Sequence, residues 1–184
     1  MQQIKGSVIK SRLAFVEEHA GKAGVDQVLA ALKDDDRKAL ASVITVKWYP
    51  LELGTRLDDA IVRVVGGGKA EFFERLGAAS AEKNLTSVHK AFVTRGDPHG
   101  FLTRTPAIYS MYYEKGRREY KKTGDKSAVL TTRDAEMFST PDCLTIVGWH
   151  RRALEMCGAT GVRVVEEECR AKGGAVCRYA LSWD

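Results

Sequence analysis

Cys143, Glu166, Cys169 and Cys177 are the residues whose types and spacing could do chemistry. Cys143 opens an apolar helical stretch, and Glu166 and Cys169 close a β-branched run. Cys177 lies in the run that answers it, across a turn at Gly173-Gly174. If the two runs pair as a hairpin, the thiols of Cys169 and Cys177 come within a few ångströms of each other. Glu166, three residues before Cys169, would face the other side of an ideal strand, so a bulge or a strand end must re-aim it. Three soft thiolates and one carboxylate form a tetrahedral set that suits Zn²⁺ better than other common metals. Two other readings stand beside this one. Free cysteine is among the most buried residue types, so the thiols can serve a reduced core without metal. A Cys169–Cys177 disulfide would instead require an oxidising compartment. The spacing is not that of a standard zinc finger or ribbon.

The remaining reactive side chains make no recognisable constellation. His19, His89, His99 and His150 share no motif, and the zinc-protease, nucleophile-elbow and dinucleotide fingerprints are missing from the sequence. His150 follows Trp149 and is seven residues after Cys143, near the same side of a helix. A fifth-ligand role there competes with the more ordinary one of a satisfied or surface histidine. Cys157 is 14 residues after Cys143, a rise of roughly 21 Å, so the two cannot share one metal. Gly66-Gly67-Gly68 lacks the Lys-Ser/Thr of a phosphate loop and reads as a helix end.

These residues must be positioned by the elements around them. A chain of 184 residues can bury a substantial core without staples. With 44% hydrophobic and 29% charged residues the composition is that of an ordinary globular domain. The net charge of +5 permits an anionic partner, but the Lys and Arg are scattered among acids without interleaved aromatics, which argues against nucleic acid. The start of the chain has no long apolar segment and no stretch is apolar enough to span a membrane, so a reduced, cytoplasmic setting is expected.

A short strand over residues 3–8 should lead into a helix ending at Gly21, followed by helices starting at Asp26 and at the Asp34-Asp35-Asp36 run. Trp48-Tyr49-Pro50 marks a turn, and Leu53, Leu57, Ile61 and Val64 share one helical face. The longest helical pattern spans 69–93, with a small-residue patch at Gly77-Ala78-Ala79-Ser80 that would let another helix approach closely, within the chain or across a dimer seam. Asp97-Pro98 starts a further helix, which Pro106 kinks or restarts. Residues 116–134 read as two strands about a Thr-Gly-Asp-Lys turn, and the helix from Cys143 and the closing hairpin follow. The expected fold is α+β in one domain over 1–184. A helical layer (about 9–115) packs on a small C-terminal antiparallel sheet with one crossing helix (about 116–184).

The final forty-odd residues resemble the C-terminal part of the 4-vinyl reductase domain, which also forms the sensory domain of phenol-responsive activators. The resemblance rests on Pro141-Asp142-Cys143, Glu166-Glu167-Glu168-Cys169, Gly173 and Cys177-Arg178, with separations of 26 and 8 residues between the cysteines. It implies a structural zinc on Cys143, Glu166, Cys169 and Cys177. It also implies membership of a superfamily that includes the haem–nitric-oxide-binding domain and the Bet3-type subunits, with a helical layer on a twisted antiparallel sheet and a habit of pairing as homodimers. The haem-binding relatives need a proximal histidine and a Tyr-x-Ser-x-Arg cluster, which this sequence lacks, so haem is not expected. The chain is also similar end to end to a group of uncharacterised bacterial proteins with the same Gly-x-x-Ser-Ala hairpin, here Gly124 to Ala128.

In the phenol sensors an aromatic pocket between the layers is lined partly by a Trp and a His. By resemblance, His99 and Tyr120 stand nearest those positions here. A small apolar or aromatic molecule would then meet His99, Phe101, Tyr109, Tyr112, Tyr113, Tyr120 and Trp149, although such aromatics more often fill a core. The resulting expectation is a non-catalytic ligand-binding or sensory module with a structural zinc, acting through an unidentified protein partner. In it the metal fixes the hairpin that closes one cavity wall. The alternative is a dimeric scaffold of Bet3 type without a ligand.

Overall fold

The computed structural model describes residues 2–135 and 139–184. Strand β1 (Gln3–Lys5) runs directly into α1 (Gly6–Ala30), which bends at Gly21, where φ is 66°. The two helices read from sequence on either side of that glycine are therefore joined end to end. Helix α2 (Asp34–Ala41) begins on the acidic run, whose carboxylates suit the positive end of the helix dipole.

Trp48-Tyr49-Pro50, expected as a turn, forms strand β2 (Trp48–Pro50) instead, antiparallel to β1 with Ile4 opposite Tyr49. The backbone partners are supplied by a segment more than forty residues away in sequence, and Pro50 at the strand end needs no ladder N–H. Helix α3 (Leu51–Val64) buries Leu53, Leu57 and Ile61.

Helix α4 (Phe72–Leu85) is shorter than the 69–93 pattern. The hydroxyls of Thr86 and Ser87 donate to the carbonyls of Glu82 and Lys83 at 2.8 and 2.6 Å, competing with continuation of the helix. Val88 is exposed, and Phe92 falls in a separate 3-10 turn (Lys90–Phe92). Helix α5 (Pro98–Leu102) is capped by Asp97, which accepts the Gly100 N–H at 2.7 Å, and α6 (Thr105–Tyr112) restarts at Pro106.

Strands β3 (Arg117–Gly124) and β4 (Ser127–Arg133) form the expected hairpin. Helix α7 (Thr140–Met156) begins at Ser139, whose side chain accepts the Asp142 N–H. Strands β5 (Arg163–Glu168) and β6 (Cys177–Ser182) complete an antiparallel sheet in the order β3-β4-β6-β5. The architecture is α+β, a helical layer with a small antiparallel sheet and α7 between them.

Two apolar clusters hold it. Ile9, Leu57, Ile61, Phe73 and Leu76 pack among the first helices. Phe101, Leu130, Trp149, Leu154 and Tyr179 join α5 and α7 to the sheet. Helices α4 and α7 link the two clusters through a close crossing. A Cβ on Gly77 would run into the carbonyl oxygen of Thr145, and one on Gly148 into that of Glu74. The small-residue patch is thus used within the chain, because α7 occupies the surface a dimer seam through Gly77 would need. A buried polar network pins the start of α7. Arg12 on α1 makes a bidentate pair with Asp58 of α3, and its Nη2 donates to Asp142 at 2.8 Å, which also accepts the Tyr113 hydroxyl at 2.8 Å.

Candidate metal centre and interlayer cavity

Cys143, Cys169 and Cys177 converge from three elements. Cys143 lies in the first turn of α7, Cys169 follows the end of β5, and Cys177 opens β6. Their sulfurs lie within 4.8 Å of one another, with 3.5 Å between Cys169 and Cys143 and 3.7 Å between Cys143 and Cys177. All three are buried free thiols, far outside the ~2.05 Å of a disulfide. The turn that brings Cys169 back toward Cys177 passes through Gly173, whose φ of 89° suits glycine.

Of the bulge or strand end expected near Glu166, the bulge is present. The β5–β6 register shifts between Glu166 and Glu168. Lys172 Nζ donates to Glu166 Oε2 at 2.7 Å, while Oε1 is buried without a protein partner. Glu166 also interacts with the Cys169 thiol. The Cys177 thiol is pushed down to about 6 by the hydrogen bond from Cys143 and by the backbone N–H of Arg170 at 3.5 Å. The same hydrogen bond and burial push Cys143 up. The three sulfurs could hold a metal ion. Cys157 sits apart at the other end of α7, its thiol pushed up to about 11 by burial.

A cavity of about 90 Å³ lies among α1, α4, α6 and α7. Val8, Ile108, Ile146 and Trp149 supply much of its apolar lining, and Arg118 of β3 borders it. Of the aromatic residues expected at a pocket, Tyr109, Tyr112, Tyr113 and Trp149 line it. His99, Phe101 and Tyr120 do not. His99 Nδ1 pairs with the Tyr120 hydroxyl at 2.7 Å and Nε2 with the Asp125 carbonyl at 2.8 Å, against Trp183. That cluster belongs to the β3–β4 turn. Phe101 is wholly buried beside Trp149, their ring centroids 5.8 Å apart.

The β5–β6 hairpin does not line the cavity either. The wall is the Thr145–His150 face of α7, which the thiol cluster holds through Cys143 near the start of the same helix. The sequence sets a satisfied or surface histidine at 150 against a fifth-ligand role. It is buried against the cavity, with Nδ1 2.8 Å from the Ile146 carbonyl and Nε2 without a protein partner. Burial and then the charge of Arg118 push its pKa down to about 3. Among the described residues, no helix is long and apolar enough to cross a membrane.

The family described as "Protein of unknown function (DUF2378)" matches residues 4–184. No curated protein matches the sequence. Among solved structures, the chain is similar to the Fe(II) unliganded H-NOX protein from K. algicida, at a TM-score of 0.76 and 12% identity over 98% of this chain and 97% of that one. It is also similar to the S. oneidensis H-NOX protein in the Fe(II)NO state, at 0.69 and 13% over 98% and 99%. A T. Tengcongensis H-NOX variant matches at 0.70 and 11% over 98% of each chain. At such identities the likeness is one of fold.

Proposed function

The chain belongs to the DUF2378 family of proteins of unknown function, and we propose that it is a non-catalytic small-molecule-binding module that signals through a protein partner. The observation that carries this reading is the half-open cavity of about 90 Å³ between the helices and β3, its surface largely apolar and bordered by a buried histidine and a buried arginine. Its exposed surface is mostly apolar and most of its polar side chains are already bonded within the chain, which favours holding a molecule over transforming it. A ligandless scaffold of Bet3 type would be expected to fill this space. The H-NOX likeness supports the reading, since those structures carry the same fold and one is described in an Fe(II)NO state. The whole chain, 1–184, would act as one unit.

Haem does not fit these residues. A cavity of about 90 Å³ is well below the 300–1,000 Å³ typical of larger ligands. His99 has both ring nitrogens engaged, and His89 pairs Nε2 with the Tyr112 hydroxyl. His150 faces only the small cavity.

The thiol cluster fits a structural zinc. Tetrahedral bonds of about 2.3 Å imply sulfur–sulfur edges of roughly 3.8 Å, close to the 3.5 and 3.7 Å found here. The carboxylate of Glu166 lies outside the group of sulfurs within 4.8 Å of one another and is held by Lys172; with Oε1 buried and free of a protein partner, it would take the fourth position by turning toward the cluster. The resemblance of this set to that of the 4-vinyl reductase domain supports the same assignment. Four protein ligands leave no open coordination position, so the metal would fix α7 to the β5–β6 hairpin and perform no chemistry.

Two measurements test the proposal. Protein purified without chelator should carry about one zinc per chain, and Cys177→Ser should lose it with a fall in Tm of many degrees. Xenon, a probe for small apolar cavities, should bind at the Trp149 site with an upward thermal shift. Metal-free wild-type protein as stable as the zinc-loaded form would sink the zinc assignment, and failure to bind xenon would sink the cavity reading.

A further inference from the structure

His150 Nε2 is buried, without a protein partner, and part of a ring that lines the cavity. The Ile146 carbonyl can only accept, so the 2.8 Å contact at Nδ1 places the proton there. A neutral ring protonated at Nδ1 presents Nε2 as an acceptor. Because Nδ1 is tied to the backbone of α7 itself, Nε2 on the far side of the ring is directed away from that helix. Burial and Arg118, which hold the pKa down to about 3, keep it an acceptor across the physiological range.

Most of the other polar groups at the cavity already have partners within the chain. The Ser11 hydroxyl donates to Ser80 at 3.2 Å, and the Asn84 amide donates to Ser80 at 3.3 Å. Tyr113 is bound to Asp142, Tyr109 to the Lys115 carbonyl and Tyr112 to His89. Arg118 donates to the Thr132 hydroxyl at 3.2 and 3.1 Å and lies over the Tyr109 ring. A buried acceptor without a donor is costly, so the cavity calls for a donor from outside the chain.

Three constraints define that donor. It must be uncharged and protic, because an ammonium would meet the Arg118 cation and a carboxylate would bring no proton for Nε2. It must have an apolar body, because Val8, Ile108, Ile146 and Trp149 line the space. It must also be compact. A cavity of about 90 Å³ is smaller than the ~150 Å³ that holds benzene and several times the ~10–15 Å³ that admits one water.

We infer that the cavity takes a short-chain alcohol, or a similarly compact uncharged hydroxyl compound, whose O–H donates to His150 Nε2. This rests on the cavity reading above and narrows it to one ligand class. It also makes His150 the residue that distinguishes a hydroxyl compound from an inert apolar occupant.

The test uses the full chain with ¹⁵N-labelled histidine, titrated with 1-propanol and separately with xenon. The Nε2 resonance should shift saturably with 1-propanol, in the direction of an acceptor gaining a hydrogen bond, and respond little to xenon. His150→Leu should weaken 1-propanol about five- to tenfold relative to xenon, the worth of one neutral hydrogen bond, and His150→Gln, which keeps an acceptor, should recover part of it. If His150→Leu does not fold, the wild-type Nε2 response decides alone. Xenon binding with no Nε2 response to 1-propanol would overturn this inference and leave the cavity reading standing. An Nε2 resonance already hydrogen-bonded before titration and unmoved by 1-propanol would assign the position to water and also overturn it. Binding of neither probe would remove the cavity reading as well.

Discussion

Acidification should weaken the fold through His150 by an amount that its environment sets. The ring is 1% exposed and neutral, its pKa pushed down to about 3 by burial and by Arg118. In the unfolded chain a histidine titrates near ~6.5. Between those values the unfolded state binds the proton and the folded state does not. The stability from the neutral buried ring is thus complete above ~6.5 and is lost as pH falls toward ~3. From pH 7 to pH 5 the loss is about 2 kcal/mol, or roughly 4–8 °C in Tm for a chain of this size. Urea denaturation of wild-type protein and His150→Phe at both pH values isolates the effect, because the thiols and all other acid-sensitive groups are common to both. The wild type should lose about 2 kcal/mol more than the variant over this interval. Equal losses would show that His150 is either charged in the fold or solvated, and would refute the assignment of Nε2 as a lone buried acceptor.

Two further outcomes follow from the packing. Gly148→Val should destabilise by about 3 kcal/mol, as an overpacked crossing does, since its side chain would meet the Glu74 carbonyl; an unchanged urea midpoint would mean α4 and α7 are not so close. Arg12→Leu should cost about 3–5 kcal/mol by leaving Asp58 buried and unpaired, and adding Asp58→Leu should recover more than half. A double variant no better than the single one would show that the pair is not the source of the loss.

Sequence and tertiary structure contributed differently to each site. The approach of Cys169 and Cys177 was legible because a hairpin has a fixed geometry. A β-branched run, a Gly-Gly turn and a second run bring those two thiols together, and a register shift does fall between Glu166 and Glu168, where the sequence asked for a bulge or a strand end. The helix from Cys143 and the β3–β4 hairpin were equally local, set by a Pro-bearing start and a Gly-Asp turn. The α+β class followed from the order of such segments.

Other features depended on contacts between residues far apart in sequence, which no local pattern encodes. Trp48-Tyr49-Pro50 reads as a turn until β1 supplies its ladder. The Gly77 patch allows a close helix neighbour, but only the packing assigns that place to α7 and Gly148. The histidines show the difference most plainly. By resemblance His99 stood nearest a ligand, yet its ring is consumed by Tyr120 and the Asp125 carbonyl, while His150, which lines the cavity, keeps an acceptor without a protein partner. Residue type determined that these side chains could bind something. Whether a particular nitrogen is free is a matter of hydrogen-bond partners, and those are fixed only when the layers close around it.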